Sequence, residues 1–131
     1  MVTTVTSEDD APDVEASGSE NSPVDLETIN DSVEIALAVV LAMPDRSQID
    51  TTTRALIGHL ELLLSEDLGY DEDPVVREMY QSAYRLLDLT RRPGAETTHF
   101  GAYEYMRDLA RLTRRFAGAY RDLNTEEHND G

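Results

Sequence analysis

The chain has 131 residues, enough for one domain with a modest core, and carries 27 acidic against 11 basic residues for a formal net charge of −16. That balance argues against direct binding to nucleic acid or to an anionic membrane surface. Cysteine is absent, which excludes disulfides, thiolate zinc sites and cysteine nucleophiles, and every basic residue is arginine.

The N-terminus shows no basic, then apolar, leader pattern. The longest apolar run, Ile35 to Met43, is nine residues, where a bilayer crossing takes roughly 20. The expectation is a soluble, cytoplasmic protein. Residues 1–24 hold six acids and no base, with Ser, Thr, Gly and Pro prominent among the rest. Such a composition buries too little apolar surface to offset its ordering entropy, so 1–22 is read as a disordered acidic tail. The closing NTEEHNDG, 124–131, is read the same way.

Between the tails, over 23–123, apolar residues recur at helical spacing and no period-two strand pattern is evident. A first helix is predicted from a Ser22-Pro23 start to Pro44, with Leu26, Ile29, Val33, Ala36, Leu37 and Val40 on one face. Ile35 and Val39, one turn apart, point away from that face. They form a second apolar strip that either packs inside the bundle or serves as a seam for a partner or a second copy of the chain. The second helix is predicted from a Ser47-x-x-Asp50 capping signature and buries Ile49, Leu56, Leu60, Leu63 and Leu64. The third opens at Asp73-Pro74, aligns Val76, Met79, Tyr80, Ala83, Leu86 and Leu87, and is closed by RRPG. The fourth starts near Glu96 and buries Tyr105, Leu109, Leu112, Phe116, Tyr120 and Leu123. Four amphipathic helices with short connections predict an all-α, up-down four-helix bundle.

The run ALIGHLELLL places His59 at the edge of the second helix's apolar stripe. Glu61, two residues on, points elsewhere, so the two cannot share a metal or a proton. His59 reads first as a boundary histidine with a hydrogen-bond partner. Glu96-x-x-His99 has the spacing used by di-iron bundles, but those need a second such pair and two further carboxylates. Capping of the fourth helix accounts for it better. No phosphate-loop, dinucleotide or nucleophile-elbow motif is present. No metal and no cofactor are expected.

PVDLETI, LIGHLELLL and the arginine-rich YMRDLARLTRRF together resemble a family of small actinomycete proteins. These carry only a domain-of-unknown-function label and are described as associated with natural-product biosynthesis. The resemblance spans roughly 23–123 and is most specific at Gly58–Leu63; family members commonly have proline where this chain has Ser65. It implies a helical cytoplasmic protein linked to specialised metabolism, and carries over no catalytic residue.

Charge is the most informative pattern. Asp25–Asp73 holds twelve acids and two arginines, whereas Val75–Leu123 holds six acids and nine arginines. Arg107, Arg111, Arg114, Arg115 and Arg121 share an arc of about 120° on the fourth helix, with Tyr103 inside it. The arc is either a solvated face paired with nearby acids or a docking strip for an acidic protein partner such as a carrier protein. The leading expectation is a non-catalytic interaction protein using that strip or the Ile35/Val39 strip. One alternative is a small-molecule or enzymatic pocket formed by His59, Tyr80, Tyr84 and Tyr105, whose polar tips need partners if buried. Another is acidic mimicry of nucleic-acid phosphates.

Overall fold

A computed structural model describes the backbone of residues 24–130 and the side chains of 24–124. The acidic segment 1–22, with the predicted Ser22-Pro23 cap, lies outside the described residues. Four helices follow in order: α1 (Leu26–Leu37), α2 (Arg46–Leu64), α3 (Pro74–Leu87) and α4 (His99–Asp130). The backbone of α4 thus continues through the stretch from 124 that composition reads as a tail. The class is all-α, and the arrangement is a bundle.

The helix starts follow local chemistry. Asp25 caps α1, its carboxylate accepting from the Thr28 N–H at 3.2 Å and the Thr28 hydroxyl at 2.8 Å. Helix α2 starts one signature earlier than predicted: Gln48 accepts the Asp45 N–H at 3.0 Å, and Asp45 is the cap residue. Asp73 caps α3 ahead of Pro74, as predicted, by accepting from Val75 N–H at 2.9 Å. At α4, Thr98 rather than Glu96 provides the cap: its Oγ1 accepts from Gly101 N–H at 2.9 Å. A Cβ at position 101 would itself lie 2.9 Å from that oxygen, so a larger residue there would displace the capping hydroxyl.

Helix ends depart further from expectation. Helix α1 stops at Leu37, well before Pro44, because Ala38 turns to an extended conformation (φ −60°, ψ 143°). Arg107 of α4 then donates to Ala36 O at 3.2 Å, satisfying a carbonyl that a continuing helix would have used. Helix α3 ends at Leu87 rather than at RRPG. Arg92 Nε donates to Leu87 O at 2.9 Å, while Asp88 binds Thr90 N–H in a tight turn at 2.9 Å. Gly69 makes the α2–α3 turn at φ 97°.

Hydrogen bonds between elements fix the topology. Arg46 at the start of α2 reaches the carbonyls of Gly94 and Thr97, just ahead of α4, both at 2.9 Å. Arg107 near the start of α4 meets the end of α1. Tyr80 and Tyr105 donate to Glu66 O at 2.6 Å and Leu86 O at 2.7 Å respectively. The helices therefore alternate in direction, and the diagonal pair α2 and α4 run parallel. These two share the most extensive packing, with α1 and α3 on opposite sides of them. The close approach rests on small buried residues of α4, namely Ala102, Ala110, Thr113 and Ala117, together with Ile49, Thr53, Leu56, Leu60 and Leu63 of α2.

Toward α3, Phe116 is fully buried and meets Tyr80 edge-on at 5.2 Å between ring centroids. Phe116→Ala should cost about 3–5 kcal/mol, and Tyr105→Phe, which leaves the Leu86 carbonyl without its donor, about 1 kcal/mol, both read from urea unfolding.

Candidate functional site

Arginines dominate the polar surface, and the fold divides them. The single strip predicted on the last helix separates into two flanks. On the α1 flank, Arg107 is committed to structure: besides Ala36 O, its guanidinium carbon lies 5.5 Å from the Tyr103 ring centroid. Arg114 is exposed beside Asn30, Val33, Glu34 and Leu37 of α1. Arg121 is exposed and pairs loosely with Asp122 at 3.8 Å.

On the α3 flank, Arg111 and Arg115 meet two arginines that lie outside the predicted strip. Together with Arg85 of α3 and Arg91 of the α3–α4 connection they line a groove of about 310 Å3 floored by Leu86 and Leu112. Asp108 is the acid lining it and binds Arg111 at 3.0 Å, while Arg85 donates to Ser82 Oγ at 3.2 Å. The excess of arginine over acid across 75–123 signals such a face. Only the antiparallel packing of α3 on α4 tells which four guanidinium groups meet.

The predicted Ile35/Val39 strip is not one helix face. Ile35 is exposed on α1, but Val39 lies beyond the helix end and is fully exposed, so the two do not stack at one-turn spacing. Val40, predicted on the buried face, is also exposed, as are Leu41 and Met43. The non-helical 38–45 connection instead forms an apolar rim. It borders a cleft of about 590 Å3 lined by Ile35, Val40, Pro44, Ile49, Thr52 and Met106 among others.

His59 and the tyrosines do not meet in one cavity. His59 turns toward α1, where its Nε2 lies 3.1 Å from Ser32 Oγ. Tyr80 of α3 donates its hydroxyl to Glu66 O beyond the end of α2 and Tyr105 of α4 donates its own to Leu86 O of α3, while Tyr84 is exposed. Burial raises both hydroxyl pKa values. The buried polar tips found partners within the chain, the expected solution for such groups. His99 Nε2–H donates to Pro44 O at 2.7 Å, tying the start of α4 to the 38–45 connection. Among the described residues no group of three or more His, Asp or Glu is placed to hold a metal ion. No helix there is long and apolar enough to cross a membrane.

Fold and surface together define a small all-α helical-bundle domain with an arginine-lined groove on its α3–α4 face. The chain belongs to the family of unknown function DUF6415, whose model matches residues 27–125. No curated protein and no solved structure matches it.

Partial burial lowers the pKa of His59 from the ordinary 6.5, against a smaller opposing pull from Asp25. A depressed base favours the folded state above the unfolded value and withdraws that support as pH falls. Stability should therefore decline as the pH drops below 6.5 toward the folded pKa. In His59→Gln this part of the decline should shrink, as checked by urea midpoints at pH 8 and pH 5.5.

Proposed function

We propose that this domain is a non-catalytic interaction module whose α3–α4 face docks an acidic segment of a protein partner. The observation that carries the reading is the meeting of Arg85, Arg91, Arg111 and Arg115 around one groove with a leucine floor. One exposed ion pair contributes only about 0–1 kcal/mol, so a lone surface arginine would mean little. Several guanidinium forks around a shared apolar floor are a different case. Each can bind a carboxylate with two parallel hydrogen bonds, and arginine is enriched among residues that dominate interface energy. A partner segment alternating acidic and aliphatic residues fits both the rim and the floor.

The family resemblance adds a setting. We place the docking step in the cytoplasm, beside natural-product biosynthesis in an actinobacterial cell, with an acidic carrier protein or biosynthetic enzyme as the partner class. A second reading rests on the exposed Val39, Leu41 and Met43. That rim would join two copies of the chain, and Leu41→Asp would then abolish a dimer seen by analytical ultracentrifugation.

The docking reading is tested with a fluorescent ten-residue peptide of alternating Glu and Leu, followed by anisotropy. Arg111→Glu with Arg115→Glu should weaken binding at least tenfold, with circular dichroism unchanged, and added salt should weaken wild-type binding. Equal affinity in the double variant overturns the reading.

A further inference from the structure

A second arginine-lined cavity shares no lining residue with the docking groove. It is a cleft of about 560 Å3 between the first turns of α2 and the connection ahead of α4, with Ile57, Pro93 and Ala95 giving it apolar wall. Three arginines line it, and they are not equivalent. Arg46 is fully engaged: Nε binds Asp50 at 3.0 Å while its other nitrogens hold Thr97 O and Gly94 O, so it builds the wall. Arg92 uses Nε on Leu87 O and leaves Nη2 only a long 3.7 Å contact with the exposed Glu61. Arg54 has a marginal 3.5 Å contact with Thr51 Oγ1, so most of its donors face no protein acceptor at bonding distance.

The decisive feature is Thr53, which lines the same cleft. The residue is 5 % exposed, and its hydroxyl is a buried group without a hydrogen-bond partner. The contrast with Thr113 is direct: that residue, also buried in a helix, donates to Leu109 O at 2.8 Å. A buried hydroxyl left unpaired is unfavourable and calls for an explanation, of which an absent ligand is one.

We propose that this cleft binds a small organic phosphate monoester. Arg54, Arg92 and Thr53 supply donors from three separate positions, which suits the several oxygens of a tetrahedral oxyanion better than the two of a planar carboxylate. The cavity is far larger than inorganic phosphate, and Ile57, Pro93 and Ala95 offer apolar contact to an organic body. The net charge of the chain does not forbid an anion here. Asp50 also lines the cleft, but its carboxylate is held by Arg46 at 3.0 Å, and the acid-rich 65–73 connection lies at the other end of α2, thirteen residues from Thr53 to Glu66. That is about 20 Å along a helix, roughly two screening lengths at physiological salt.

The test titrates the full chain with phenyl phosphate, inorganic phosphate and benzoate by isothermal calorimetry. Phenyl phosphate should bind saturably at one site and tighter than either comparison probe. Arg54→Gln should weaken it about tenfold. Thr53→Val, which keeps the shape and removes the hydroxyl, should weaken it severalfold yet raise the melting temperature of the ligand-free protein. Arg111→Gln, in the other groove, should leave affinity unchanged, which separates this site from the docking reading. Benzoate binding as tightly as phenyl phosphate overturns the phosphate assignment. Absence of saturable binding by all three probes, or undiminished affinity in both Thr53→Val and Arg54→Gln, overturns the site.

Discussion

The close packing of α2 against α4 is the constraint on which the rest of this structure depends. In a square four-helix bundle the diagonal helices stay apart. Here Ala102, Ala110, Thr113 and Ala117 present little bulk, so α4 approaches its diagonal partner and buries Leu56, Leu60 and Leu63 of α2 along the contact. Helices α1 and α3 pack on either side of the central pair, and shallow grooves run between α4 and each of them.

Arginine does two jobs in this chain, and the difference is geometric. Arg46, Arg77, Arg92 and Arg107 each donate to backbone carbonyls, and two of those carbonyls, Ala36 O and Leu87 O, lie at helix ends. A planar fork with several donors can close an exposed helix end and still reach a second group. These side chains are parts of the frame. Arg54, Arg85, Arg111 and Arg115 make only local side-chain contacts or none described, and like the spare donors of Arg92 they are left to meet something else.

What the sequence discloses follows the same division. The helix starts at Asp73-Pro74 and the buried faces of α2, α3 and α4 are written in residues three or four apart, so they can be read along the chain. The ends of α1 and α3 cannot. Arg107 stands 71 residues from the carbonyl it satisfies, and no local signal marks Ala38 as the point where the backbone straightens. Ile35 and Val39 are both exposed, as an outward strip requires, but they do not share a helix face, because the backbone leaves the helix after Leu37. The arginine strip was legible as a face of α4, whereas its division by α1 and its completion by Arg85 and Arg91 depend on tertiary neighbours. Thr53 carries no sequence mark at all, since a threonine in an apolar helix ordinarily returns its hydroxyl to the preceding turn, as Thr113 does.

The turn joining α2 to α3 gives the molecule a polarity of its own. Glu66, Asp67, Asp71, Glu72 and Asp73 crowd one tip of the bundle, while at the opposite tip Arg46, Arg91 and Arg92 offset Asp45, Asp88 and Glu96. An anionic body diffusing nearby experiences a torque before contact and is swung away from the acidic tip. The turn would thereby govern how often collisions are productive while leaving the lifetime of any complex almost untouched.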